Sequence, residues 1–111
     1  MEDSVDLELP HDSSAPSIAR RALARWGASA DVDVALSELV TNAVQHGKPP
    51  IRLHAIRTWD FVHVEVHDEG HDFGTPNLDS VGLRLVEAFT TDWGVMHLPN
   101  DGKVVWAEFE A

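Results

Sequence analysis

Residues 37–47 read S-E-L-V-T-N-A-V-Q-H-G, and the fold turns on how that run is read. Leu36, Leu39, Val40, Ala43 and Val44 recur at helical spacing, so the stretch predicts a helix with a continuous apolar face. Glu38, Asn42 and His46 stand four residues apart beside that face, because four residues advance a helix only about 40° past a full turn. A solvated face usually collects paired Lys, Arg and Glu, yet no lysine or arginine occurs between Arg25 and Lys48. The polar stripe sits at the margin of the core, where a ligand wedged between helix and neighbouring layer would meet it.

Working outward, Asp31 or Asp33 can cap this helix, and Gly47 with Pro49-Pro50 ends it. Upstream, residues 17–26 predict a first helix with Ser14 or Ser17 as cap, Ile18, Ala22 and Trp26 as its apolar stripe, and Gly27 as its stop. Residues 4–9 alternate polar and apolar and read as a strand that Pro10 closes. Downstream, strands at 51–58 and 61–68 flank Trp59-Asp60, a spacing that reads as a tight hairpin. In the second of these, Val62, Val64 and Val66 point one way and His63, Glu65 and His67 the other. The same alternation puts Asp68 on the apolar side, where a carboxylate costs several kcal/mol unless something pairs with it. Residues 69–80 are loop-like, 82–89 predict a short helix with Leu83, Val86 and Phe89 inward, and strands near 93–98 and 103–110 turn at Asn100-Asp101-Gly102. The order β-α-α-β-β-loop-α-β-β predicts an α+β, two-layer α/β sandwich: a mixed, mainly antiparallel sheet with helices on one face.

Composition bounds the function. A chain of 111 residues suits one domain, 1–111. The absence of cysteine excludes disulfides, thiolate metal sites and a thiol nucleophile. No apolar run approaches the ~20 residues of a membrane span, and the acidic start M-E-D-S-V-D lacks the basic and apolar regions of a signal peptide, so a cytoplasmic location is expected, with no membrane contact. The formal charge of −11 opposes direct nucleic-acid binding and favours a basic protein partner. A polyanionic nucleotide would need a local device, such as a metal ion or a helix N-terminus.

Glu38-Leu-Val-Thr-Asn42-Ala-Val-Gln-His46, then Asp68-Glu-Gly70, then Gly82-Leu-Arg-Leu-Val-Glu, and finally Gly102-Lys-Val-Val-Trp-Ala-Glu-Phe resemble the motif series of the Bergerat-fold (GHKL) ATP-binding domains. That superfamily includes gyrase, Hsp90, sensor histidine kinases and MutL. The likeness is greatest to its small single-domain branch, the anti-sigma factor serine/threonine kinases and their relatives in actinomycetes, and it covers nearly the whole chain. The resemblance implies that Glu38 polarises the group attacking the γ-phosphate and that Asn42 holds Mg²⁺ through its side-chain oxygen. It implies that Asp68 accepts a hydrogen bond from the adenine amino group and that Gly70 lets the backbone approach the base. Gly82 and Leu83, at a helix N-terminus, would receive phosphates. ATP and Mg²⁺ are then the expected cofactors. A sigma factor or a STAS-like anti-anti-sigma protein is the expected partner, the latter a phosphorylation target on Ser or Thr.

Three positions depart from the family pattern. Asp72 stands where a second glycine is usual, Ser80 where the next box commonly begins with glycine, and Val104 where a threonine often follows Gly-Lys. These departures predict weak or altered nucleotide binding and keep open a second reading, a non-catalytic GHKL-fold module that binds protein partners. Arg84 reads as a solvated helix-face residue and Lys103 as a hairpin-turn lysine. Trp59, Trp93 and Trp106 read as core or sheet-face packing. His63 and His67 lie ~13 Å apart along an extended strand, too far to share one ion without a bend. With Glu65 they read as the outward polar face of the sheet, which is one candidate surface for a homodimer.

Overall fold

The computed structural model describes residues 2–27, 29–70, 81–99 and 102–110, with backbone alone for 81–83. Its elements are β1 (Asp3–Leu9), α1 (Ala15–Leu23) continued by a 3₁₀ turn (Ala24–Trp26), α2 (Ala30–His46), β2 (Ile51–Arg57), β3 (Phe61–Asp68), α3 (Val81–Phe89), β4 (Asp92–His97) and β5 (Lys103–Glu110). The five strands form one sheet in the order β1-β2-β3-β5-β4. All four pairings are antiparallel, so the parallel component of the expected mixed sheet is absent among the described residues. α1 and α2 return the chain from β1 to pair with β2, β2 and β3 are adjacent in the sheet, and α3 carries the chain past the place of β5 to the edge strand β4, so that β5 fills the gap between β3 and β4.

The strand alternation places the core between sheet and helices. Leu53, Val64, Val66, Val105 and Ala107 bury one sheet face against Leu36, Leu39, Val40 and Ala43 of α2 and Val86 of α3. α2 lies across the middle of this layer, with α1 on one flank and α3 on the other. In α1 the buried stripe is Ala15, Ala19 and Leu23, while Ile18 and Ala22, expected at its centre, are half-buried at its margin. Both stripes are apolar, and the one centred on Ala15, Ala19 and Leu23 is the one that is fully buried.

Local chemistry sets the helix ends. α1 begins two residues earlier than its spacing suggests, with Pro16 in the first turn, where a missing N–H costs nothing. α2 is capped by Ser29, not by Asp31 or Asp33: its Oγ accepts the Val32 N–H at 3.4 Å. The two aspartates fall in the first turn, where their charge complements the helix dipole. At the other end Gly47 donates its N–H to Ala43 O at 2.8 Å and turns the chain out in an extended conformation. No helix among the described residues is long and apolar enough to cross a membrane.

Candidate functional site

Asp68 closes the inward series Val62, Val64 and Val66, and it is only 2% exposed. Its Oδ1 accepts the Gly70 N–H at 2.7 Å. Its Oδ2 is buried and finds no hydrogen-bond donor among the described residues. The Lys103 Nζ lies 3.8 Å from that oxygen, within ion-pair distance but beyond a hydrogen bond. Lys103 is Asp68's cross-strand partner, is itself 3% exposed, and is therefore not the turn lysine expected. The alternation that turns Val105, Ala107 and Phe109 inward turns Lys103 inward too.

Backbone packs tightly around this carboxylate. A Cβ on Gly47 would stand 2.5 Å from Asp68 Cγ and 2.7 Å from Oδ2, and one on Gly70 would stand 2.8 Å from Oδ1. Gly47 has φ of −95°, a conformation open to any residue, so glycine is needed there for space. The Glu69 N–H donates to Lys48 O at 3.0 Å, which ties the end of β3 to the end of α2. The residue after Asp68 is thus held against the chain that leaves the C-terminus of the helix carrying the polar stripe. Sequence reasoning saw Gly47 as a helix stop and missed its second role; no local signal marks a glycine needed by a residue 21 positions away.

Of the stripe itself, Glu38 and Asn42 are half-buried beside the buried Leu39 and Ala43, as a margin position requires, whereas His46 is exposed. Asn42 lies about one turn before Gly47, at the same end of the molecule as Asp68. Its amide oxygen suits a hard cation that keeps phosphate oxygens and waters as its other ligands. Gly70 is buried against Asp68. Gly82 and Leu83 fall in the first turn of α3, and their surroundings lie outside the described residues, as do Asp72 and Ser80. Val104 pairs with His67 and Met96 and faces away from Asp68, so its missing hydroxyl does not alter the Asp68 recess. The residue of that strand beside Asp68 is Lys103.

A buried carboxylate oxygen without a donor costs about 1–3 kcal/mol, and an amino group supplied from outside would remove that cost. Asp68 Oδ2 therefore suits an amino-group donor, of which the exocyclic amine of a base is one kind.

The opposite sheet face carries a separate polar chain. His63 bridges Glu108 through Nδ1 and Glu65 through Nε2, and His67 Nε2 meets the other Glu65 oxygen, each contact at 2.9 Å. Burial raises the Glu65 carboxyl, but hydrogen bonds from His63 and His67 outweigh it and hold the group below its ordinary value. Trp106 stacks on the His63 ring with centroids 5.9 Å apart, a sheet-face packing role. Trp93 packs against the core, while Trp59, expected to pack, is 78% exposed at the hairpin tip. At that far end a cavity of about 230 Å³ is lined by Asp3, Arg25, Trp26, Arg57, Thr58 and Trp59. It holds none of Glu38, Asn42, Asp68, Gly70, Gly82 and Leu83, the candidate site residues read from the sequence.

The family description "Histidine kinase-like ATPase domain" matches residues 11–109. No curated protein matches the chain. Among solved structures it is similar to the RsbU and RsbW domains of Rv1364c from Mycobacterium tuberculosis, with a TM-score of 0.73 at 24% identity. That match covers 96% of this chain and 31% of the other. At such identity the likeness is one of fold, and it agrees with a Bergerat-type α+β sandwich.

Proposed function

The chain belongs to the histidine kinase-like ATPase domain family, and from that premise we propose that it is a Mg·ATP-binding regulatory domain of the anti-sigma kinase kind. The observation that carries this reading is Asp68: a buried carboxylate with one oxygen unsatisfied among the described residues, walled by glycine backbone. Asp68 Oδ2 accepts the base amine, Gly70 leaves room for the ring, and Asn42 offers its side-chain oxygen to Mg²⁺. Gly82 and Leu83 present the N-terminus of α3 to the phosphates. ATP supplies the phosphoryl group, and Mg²⁺ offsets its charge within a strongly acidic protein.

Glu38 takes the proton from the attacking hydroxyl of a partner's Ser or Thr, with most of the rate coming from positioning. The partner is a sigma factor or a STAS-like anti-anti-sigma protein, and a basic docking surface on it suits the charge of −11. A second reading, the non-catalytic module, rests on Asp72 and Ser80, which replace glycines usual in the family.

Calorimetric titration with ATP, with and without Mg²⁺, separates the two. Magnesium-dependent binding lost in Asp68→Asn supports the first. No heat up to millimolar ATP supports the second.

A further inference from the structure

We propose that the cavity beside the β2–β3 hairpin tip is a docking site for an acidic segment of a protein partner, whose Asp or Glu carboxylate meets Arg57 and whose adjacent apolar side chain covers Trp59. The cavity is lined by Asp3, Arg25, Trp26, Arg57, Thr58 and Trp59, and its volume is about 230 Å³. It lies at the opposite end of β3 from Asp68, and the inference is independent of the ATP reading.

Strand phase builds the site. Ile51, Leu53 and Ala55 turn inward along β2, and the same alternation carries Arg57 to the helix side of the sheet. There it stands directly across from Asp3 and Val62. Asp3 is nevertheless not its ion-pair partner: the Asp3 carboxylate accepts the Trp26 indole N–H at 2.8 Å and pairs with Arg25 at 3.2 Å. Among the described residues no carboxylate comes within 4.0 Å of the Arg57 guanidinium. Glu110, which lines the adjoining cavity with Arg57, is beyond that distance too. The charge of Asp3 is thus matched by Arg25, and the cavity keeps one half-buried guanidinium without a counter-charge.

A planar guanidinium in this setting matches the two oxygens of a carboxylate. A phosphate also fits an arginine, but it brings more of the charge that a protein of −11 opposes. Trp59 stands 78% exposed on the rim. The turn that carries it is fixed, because Thr58 donates its N–H to Phe61 O at 2.9 Å and its Oγ1 accepts the Asp60 and Phe61 N–H groups, each at 3.3 Å. Arginine and tryptophan are enriched among the anchors of protein interfaces, and an anchor held in advance loses little freedom on binding. The room suits one inserted side chain, since sites for whole small molecules run to about 300–1,000 Å³. Recognition of an acidic segment by an acidic protein needs a local cation in a preformed recess, and Arg57 supplies it.

The test follows the indole N–H signals of Trp26 and Trp59 in proton–nitrogen correlation spectra of the nucleotide-free protein while the capped peptide acetyl-Leu-Glu-Leu-amide is added. Both signals should shift and saturate with a Kd on the order of millimolar, and the peptide with Gln in place of Glu should bind about tenfold or more weakly. Arg57→Gln should bring the two peptides together, and Trp59→Ala should weaken the Glu peptide by about tenfold while leaving the unfolding midpoint unchanged, because the ring is exposed. Equal binding of both peptides by the wild type, or a preference that survives Arg57→Gln, would overturn the role of Arg57. No shift with the Glu peptide up to about 10 mM would overturn the docking site. Tighter binding of the phosphoserine peptide would overturn the choice of a carboxylate. If Arg57→Gln fails to fold, the wild-type comparison and Trp59→Ala still decide the matter.

Discussion

Gly47→Ala tests the geometry of the site with one methyl group. Gly47 has an extended backbone, and alanine at an unstrained glycine normally stabilises a protein by about 0.4–1 kcal/mol through the unfolded chain. Here the added Cβ would stand 2.5 Å from Asp68 Cγ, 2.6 Å from Ala43 O and 2.7 Å from Asp68 Oδ2. Real Cβ atoms do not approach so closely, and two of the three atoms belong to a carboxyl held by Gly70 and set beside Lys103. Overpacking of this kind costs about 1–3 kcal/mol, which exceeds the entropic gain, so the net sign is destabilising. In a domain of this size each kcal/mol moves the midpoint by about 4–8 °C.

Thermal unfolding should therefore show a drop, and calorimetry should show weakened ATP binding, because the carboxyl must move to admit the methyl. Gly27→Ala is the control: its φ of +65° imposes backbone strain, yet no atom lies within 4 Å of the new Cβ. It should lose stability by about 1–2 kcal/mol and leave ATP affinity unchanged. A Gly47→Ala protein as stable as wild type, with unaltered affinity, would refute the packing of α2 onto Asp68.

Glu38→Ala should leave the unfolding midpoint near that of wild type and reduce phosphoryl transfer to a partner by about 10²–10⁴-fold in a single-turnover assay. Asn42→Ala should preserve the fold and abolish the magnesium dependence of ATP binding, seen as converging titrations with and without the metal. Glu65 has a folded-state value lowered by His63 and His67, so its contribution is fully present above the ordinary carboxylate value and is lost as pH falls through the lowered folded one. Denaturant unfolding across the acid range should therefore fall more steeply in wild type than in Glu65→Gln. An identical acid slope in the two proteins would count against the network.

Much of the fold was legible because it is written in periods. The strand alternation of 61–68 and the helical spacing of 36–44 each survive in the structure, and the parity argument that turned Asp68 inward holds to 2% exposure. The same argument was available for Lys103, one residue after Gly102 and in phase with Val105, Ala107 and Phe109. A lysine's usual place in solvent argues the other way, and the pairing of Lys103 with Asp68 overrides it. Capping was less legible, since Ser29, Asp31 and Asp33 are all competent caps and only the packed helix axis chooses among them.

By itself, then, the sequence determined which residues face inward along each element, where the elements begin and end to within a residue or two, and that Glu38, Asn42 and Asp68 follow one family's pattern. These are local properties, fixed by side-chain chemistry repeated at 2.0 or 3.6 residues. Only the tertiary structure decided that the end of α2 lies against the end of β3, that Gly47 must lack a side chain to allow it, and that Lys103 stands across from Asp68. Those facts join positions 21 and 35 residues from Asp68, and such distances close only when the sheet pairs and α2 packs down on it.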